Sequence, residues 1–422
     1  MRQFVIIGNS AAGIAAVEGI RKKDRNSKII VISDEDYLSY CRCLISYYLA
    51  GEVKEEKIFY RPESFYKDNN VELFLNKKVS RVEPKKNRLI CEDKSIFGYD
   101  CLLIATGARP KFPDIPGIKK RGVFGFRTLK DAKEIAGVLA LTKTACILGG
   151  GLIGLKAASA LKKRNVEVKV VVKSKQVLSQ MLDFEAANFV LRQLEKNGIE
   201  VIFGQDVSEI IGNGDIKAVK LESGKVFGCS LVIVGKGILP NIDLIKETEI
   251  NTNEGICVDN LLNTNVSNIY AAGDCAQTLD VTTGTSSVNA LWPIAVEEGR
   301  IAGRNMAGEN ISYDGSLGMN SLEVFGLPVV SLGIYKIKED LASQFEELKF
   351  QDPKANIYKK LILKDNLLVG AILVGDIKNS GLFLKIIREK INVTSFKERL
   401  LKDNFGFPEI MDLVNARSKL YV

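Results

Sequence analysis

At 422 residues the chain exceeds one ordinary hydrophobic core, so two or three domains are expected. Its 46% hydrophobic and 26% charged residues are those of a soluble globular protein, with no apolar run long enough to span a bilayer. It contains no histidine, which excludes histidine-based triads and leaves proton transfer to Lys, Glu, Asp, Tyr, Cys, a cofactor or water.

The start, Met1-Arg2-Gln3, runs into a strand without a secretory layout, which predicts a cytoplasmic protein. The cysteines are scattered, with no C-x-x-C pair, which argues against a cysteine-ligated metal or cluster and against a disulfide framework. The formal charge of +8 is spread over segments such as 21–28, 162–164 and 385–402, read as solvated helix faces or as docking sites for an acidic partner or anionic cofactor. No interleaved aromatics suggest nucleic acid.

Phe4 to Ile7 reads as a buried strand, and Gly8-Asn9-Ser10-Ala11-Ala12-Gly13 as a tight turn opening a helix near Ile14. Open backbone N–H groups at such a helix start accept a pyrophosphate. Ser10 replaces the middle glycine of G-x-G-x-x-G. The next strand, Lys28 to Ser33, ends in Asp34-Glu35-Asp36, where Glu35, with Asp34 as its rival, is placed to accept from a ribose diol. The stretch Tyr40 to Gly51 is rich in groups that flank a planar ring, and Arg42 suits bidentate bonding to a phosphate. Short strands and turns follow from Val71 to Ile96, and a buried strand then ends at Ala105-Thr106-Gly107, placing donors at its carboxyl end. Pro110, Pro113 and Pro116 mark a domain boundary.

A second unit opens at Ala145 to Gly154, with a complete G-x-G-x-x-G at Gly149, Gly151 and Gly154 and a helix from Leu155 to about Lys163. Its second strand ends at Lys173-Ser174-Lys175, where the lysines favour a 2′-phosphate, hence NADPH over NADH. The strand Leu231 to Val234 leads into Gly235-Lys236-Gly237. Further on, Asn268 to Ala276 feeds Gly273-Asp274, whose aspartate either accepts from a ribityl hydroxyl or caps a helix. Leu291-Trp292-Pro293 precedes a small-residue helix from Ala295 to about Ala307. Strands from Met319 through Ile372 and charge-patterned helical segments complete the chain.

These motifs, in this order over about residues 1–335, resemble the FAD-dependent pyridine nucleotide-disulphide oxidoreductase superfamily. Tyr40-x-Arg42-x-Leu44 and Leu291-Trp292-Pro293-x-Ala295-x-Glu297-x-Gly299-Arg300 are most similar to the rubredoxin or ferredoxin reductases and the N-terminal part of nitrite reductase large subunits. The resemblance implies an α/β fold: two Rossmann-like, three-layer ββα dinucleotide-binding domains plus a C-terminal α+β domain. The expected segments are 1–110 and 238–316 for FAD, 111–237 for NAD(P)H, and 317–422 as an interface domain that commonly builds a homodimer.

It further implies FAD at Gly8, Ser10, Ala11, Ala12, Glu35, Arg42, Val79, Ala105, Thr106, Gly107, Gly273 and Asp274, with the isoalloxazine near Trp292. NAD(P)H is implied at Gly149, Gly151, Leu152, Ile153, Gly154, Lys173, Lys175 and Gly235. The implied chemistry is hydride transfer from nicotinamide to flavin, then delivery to, or reversibly from, a small acidic ferredoxin or rubredoxin. The C-x4-C pair and C-terminal histidine of the disulphide reductases are missing, and Lys156 stands where a glutamate is frequent.

Cys43 falls where single-cysteine relatives, such as coenzyme A-disulphide reductases and NADH oxidases or peroxidases, keep a redox thiol, whereas Arg42 and Leu44 fit the iron-sulfur-partner reductases. Cys41 would point to the opposite face from Cys43 if this segment is extended. Three readings therefore stand: an electron-transfer enzyme; a disulfide, polysulfide or peroxide reductase or NADH oxidase using catalytic Cys43; and a flavin-binding subunit active only inside a larger redox complex.

Overall fold

The computed structural model describes residues 2–411. They form two compact units, the first of 2–111, 127–136 and 237–316, the second of 112–126, 137–236 and 317–411. The chain begins in unit 1 with β1 (Gln3–Ile7), α1 (Ala11–Lys23), β2 (Lys28–Ile32), β3 (Val71–Phe74) and β4 (Cys101–Ile104). It passes into unit 2 with β5 (Val123–Phe124), β6 (Thr144–Leu148), α2 (Leu152–Lys163), β7 (Glu167–Val172), α3 (Phe184–Lys196), β8 (Ile199–Phe203) and β9 (Leu231–Val234). It returns to unit 1 for β10 (Ile269–Ala271) and α4 (Trp292–Met306). The chain then re-enters unit 2 with β11 (Met319–Val324), β12 (Leu327–Gly333), β13 (Glu346–Asp352), β14 (Ile357–Lys364), β15 (Leu367–Val374) and α5 (Ser380–Arg388).

Each unit holds a parallel sheet, in the order β10-β4-β1-β2-β3 in unit 1 and β8-β7-β6-β9-β5 in unit 2. Strands covered on both faces read as unbroken apolar runs, and β1 shows why. Its Phe4 and Ile6 pack on one side with Val17 and Ile20 of α1, while Val5 and Ile7 pack on the other with Val82, Leu89 and Tyr99. The third sheet, β11-β12-β15-β14-β13, is antiparallel and belongs to unit 2. No described helix is long and apolar enough to cross a membrane.

In the third sheet, alternation along β14 sends consecutive lysines to opposite faces. Lys359 reaches Asp376 at 2.7 Å, and Lys360 reaches Asp183 at 3.3 Å and Glu347 at 2.5 Å. Tyr358 shares the Lys360 face, donates to Asp183 at 2.7 Å and is packed against Phe189 of α3. Burial, with Asp183 and Glu185 accepting from its hydroxyl, pushes its phenol well above the usual range.

The helix start expected near Ile14 lies at Ala11, and the one expected at Ala295 lies at Trp292, with Pro293 in the first turn, where a missing N–H costs nothing. The segment 127–136 was expected with the NAD(P)H-binding part and packs in unit 1 instead. The Asp131 carboxylate accepts from the backbone N–H groups of Arg127 and Thr128, both at 2.9 Å, and so holds its entry.

In unit 1, α1 and α4 pack backbone to backbone. A Cβ on Gly299 would stand 2.1 Å from the Ala12 carbonyl oxygen, one on Gly303 2.2 Å from that of Ala16, and one on Gly19 2.4 Å from that of Arg300. The two backbones therefore touch, and neither can yield without shifting a whole helix. Gly299→Ala is expected to cost about 2 kcal/mol or more of stability, read as a lowered urea midpoint with unchanged slope. A midpoint equal to the parent's would refute the contact.

Candidate functional site

The two glycine turns share one geometry. At the first, Gly8 has φ +121, and a Cβ there would stand 2.1 Å from the Ala105 carbonyl oxygen; one on Gly13 would stand 1.9 Å from the Gly8 oxygen. At the second, Gly149 has φ +108, with Gly235 O 2.5 Å from its would-be Cβ, and one on Gly154 would stand 2.1 Å from the Gly149 oxygen. Only glycine fits these four positions. Each turn is thereby pinned to the end of the neighbouring strand, β4 in unit 1 and β9 in unit 2, at the carboxyl edge where open α/β sheets bind ligands.

Ser10 precedes α1 and Gly151 precedes α2 in extended conformation, and neither first turn holds an acidic side chain or a side-chain cap. The first-turn N–H groups thus meet no competing carboxylate. Ala11 and Ala12 are buried in the first turn of α1. Leu152 and Ile153 begin α2, and Ile153 is exposed.

Around the first turn the polar side chains form one chain of contacts. Arg42 is ion-paired with Glu35, donates to the Tyr40 hydroxyl at 3.0 Å and to Ser10 Oγ at 3.3 Å, and reaches the Arg127 carbonyl at 3.2 Å. Tyr40 donates to Glu35 at 2.6 Å and accepts the Leu129 N–H at 2.9 Å. Burial, with Glu35 beside it, keeps the Tyr40 phenol protonated far above its ordinary range. Burial opposes the Arg42 charge, but Tyr40, Glu35 and Asp274 more than restore it, and its pKa lies above the usual guanidinium value.

Arg127 was not singled out from sequence. It ion-pairs with Asp274 and donates through Nε to the Ala108 carbonyl at 2.6 Å. Asp274 is followed not by a helix but by the strand Ala276–Leu279, so the capping alternative falls. Gly273, at φ +77, donates its N–H to Glu298 at 2.7 Å. Neither Arg127 nor Glu298 lies in a recognisable turn, and only Asp131, four residues after Arg127, hinted at an ordered segment.

Other expected residues lie apart from this chain of contacts or are differently engaged. Thr106 spends its hydroxyl on the Asn241 carbonyl at 2.7 Å, and Asn241 returns a bond to the Thr106 oxygen at 3.0 Å; Gly107 beside it, at φ +65, faces open space. Val79 opens the strand Val79–Glu83 and packs on the core facing Ile30 and Ile32. Trp292 starts α4, half-buried, with its ring edge-to-face on Tyr60 at 5.1 Å. Cys43 is exposed in a 3-10 turn, Arg42–Leu44, so the extended geometry considered for Cys41 and Cys43 does not occur. In unit 2, Lys173 and Lys175 are both exposed, Lys173 lying 3.7 Å from Glu222.

The donor set fits a dinucleotide at each turn: uncapped helix starts, open space beside Gly107 and Gly151, and Arg42 beside Ser10. A cavity of about 730 Å³ in unit 2, lined by Gln193, Lys196, Phe325, Lys359, Asp376 and Lys378, includes none of these residues. Among the described residues no cluster of Cys, Asp and Glu is arranged to hold a metal ion.

Residues 2–299 match the model for pyridine nucleotide-disulphide oxidoreductases, and residues 319–391 that for the rubredoxin NAD+ reductase C-terminal domain. The chain is 30% identical over 395 residues to a nitrite reductase [NAD(P)H] of Bacillus subtilis, covering 93% of this chain but 48% of that protein, so it spans about half of that relative. It is 30% identical to the epsilon subunit of an NADH-dependent phenylglyoxylate dehydrogenase of Aromatoleum evansii, over 94% of both chains. Among solved structures it is similar to an NAD-dependent persulfide reductase of A. fulgidus, with TM-score 0.87 and 27% identity over 96% of this chain and 79% of that one.

Truncating Arg42 removes the guanidinium beside Ser10 and breaks the ion pair with Glu35. Arg42→Ala is expected to weaken FAD binding about tenfold to a hundredfold, measured by titrating the apoprotein and following quenching of flavin fluorescence. A dissociation constant within twofold of the parent's would remove Arg42 from the site.

Proposed function

The chain belongs to the pyridine nucleotide-disulphide oxidoreductase family, and from that premise we propose that it is an FAD-dependent enzyme carrying electrons between NAD(P)H and a small acidic iron-sulfur protein of the rubredoxin or ferredoxin kind. Its architecture in this reading is two Rossmann-like, three-layer ββα dinucleotide-binding domains, one for FAD and one for NAD(P)H, with a C-terminal α+β interface domain. The observation that carries the choice of acceptor is the match of residues 319–391 to the C-terminal domain of rubredoxin NAD+ reductases. FAD held here would supply hydride acceptance from the nicotinamide and one-electron release, so that one NAD(P)H would reduce two oxidised carriers and free one proton.

The residues of this chain bind and orient. Ser10, Ala11 and Ala12 offer the start of α1 to the pyrophosphate, and Arg42 adds its guanidinium beside Ser10. Glu35, steadied by Tyr40, accepts from the adenosine ribose. Asp274, held by Arg127, accepts from the ribityl chain. In unit 2, Gly151 to Gly154 receive the NAD(P)H pyrophosphate, and Lys173 and Lys175 favour its 2′-phosphate form.

Two other readings each have an observation behind them. Exposure of Cys43 and the likeness to a persulfide reductase favour a thiol-based reaction at that residue. The match to a dehydrogenase epsilon subunit over 94% of both chains favours a component of a larger redox complex.

Purified protein reconstituted with FAD is expected to reduce rubredoxin or ferredoxin with NADPH, and Cys43→Ser to keep that rate within about twofold, as for a surface change away from the reacting groups. Failure to reduce any one-electron carrier sinks the main reading. Loss of persulfide or disulfide reduction on Cys43→Ser would install the thiol reading, and turnover restored only by a partner protein the subunit reading. Removing both lysines, Lys173→Ala with Lys175→Ala, is expected to raise KM for NADPH about tenfold while leaving that for NADH near its parent value. Equal effects on both would end the 2′-phosphate assignment.

A further inference from the structure

We propose that Glu298 of α4 is the positioning residue of the flavin site: it fixes the Gly273–Asp274 turn through two buried hydrogen bonds. The inference rests on the FAD reading above. Glu298 is 2% exposed. Its Oε2 accepts the Gly273 N–H at 2.7 Å, and its Oε1 accepts the Thr278 hydroxyl at 3.0 Å. One carboxyl thus ties both ends of the loop that presents Asp274.

The turn packs closely against both helices. Gly273 sits at φ +77, and a Cβ there would stand 3.2 Å from that of Ala12 on α1 and 3.4 Å from that of Ala295 on α4. Wedged between two helices whose backbones touch, the turn takes its direction from the Glu298 bond. Arg127 then acts on Asp274 beyond it.

Ionisation alters this balance. Burial, helped by Asp274 and Glu297, pushes the Glu298 carboxyl up to about 8, while the bonds from Gly273 and Thr278 pull the other way. The charged groups facing it are Asp274, already paired with Arg127, and Glu297 on α4; α1 meets α4 here through Ala12 and Ala16. No cation among the described residues is paired with Glu298. Losing its proton therefore leaves an uncompensated charge in a dry site, next to another carboxylate. A group whose folded pKa is raised contributes stability below its unfolded value and loses that contribution as the pH rises through the folded one. For Glu298 the loss runs from the ordinary carboxylate range up through about 8.

The test is FAD binding to the apoprotein, by flavin fluorescence, between about pH 6.5 and 9.5, for the parent, Glu298→Gln and Glu298→Ala. The parent's dissociation constant is expected to rise about tenfold across this range, and that of Glu298→Gln to stay within about twofold of its own pH 7 value. Glu298→Ala is expected to bind about tenfold more weakly throughout; if it does not fold, Thr278→Val, which removes one of the two bonds, should bind about threefold more weakly. The parent's urea midpoint should fall over the same interval, and that of Glu298→Gln should not. A pH profile common to the parent and Glu298→Gln, or unchanged affinity in the alanine or valine variant, overturns the proposal. A parent protein that takes up no FAD at any pH overturns the flavin reading instead.

Discussion

In both units a strand-end carbonyl occupies the volume that a Cβ on the first glycine would need. Ala105 closes on Gly8 in this way, and Gly235 on Gly149. The consequence is structural before it is chemical. Each turn is fixed to the strand beside it, so the N–H groups of the following helix are aimed over the carboxyl edge of a parallel sheet. Any side chain larger than hydrogen would push the turn off the strand and scatter those donors.

In unit 1 this geometry is reinforced from behind. The glycines of α4 bring it against α1 until the backbones meet, and Glu298 projects from α4 to the Gly273 N–H. The helix start at Ser10 and the acceptor at Asp274 are thereby referred to the same pair of helices. Arg127 completes the arrangement from a third segment, pairing with Asp274 by its guanidinium and meeting Arg42 through its carbonyl. Four charges, two of each sign, are thus distributed so that each carboxylate stands beside an arginine, which limits the cost of holding them in a largely buried place.

The glycine turns and the strands before them were legible because they report local sterics, visible within ten residues. Arg42 was legible for a similar reason, lying in a segment whose composition is itself unusual. Arg127 was not: its partner is 147 positions away, and nothing around it in sequence differs from an ordinary helix entry. Glu298 escaped notice inside a recognised helix, because the periodicity that identifies a helix does not say which carboxylate faces inward. Thr106 was read as a donor at a strand end, but Asn241, which takes up that hydroxyl, comes from a distant loop. Local rules reach the frame of the site; its electrostatic partners come from segments that meet only on folding.

The segmented layout of unit 1 also bears on synthesis. Its parallel sheet needs β10 at one edge, and α1 lacks its partner helix until α4 has been made. The parallel sheet of unit 2 is composed entirely of residues between Val123 and Val234. On a ribosome delivering the chain from its N-terminus, the sheet that starts second is therefore the first to be complete. β1, β2, β3 and β4, with their apolar faces, must wait for about the length of a domain before their edge strand arrives, and the hazard of premature association falls on unit 1.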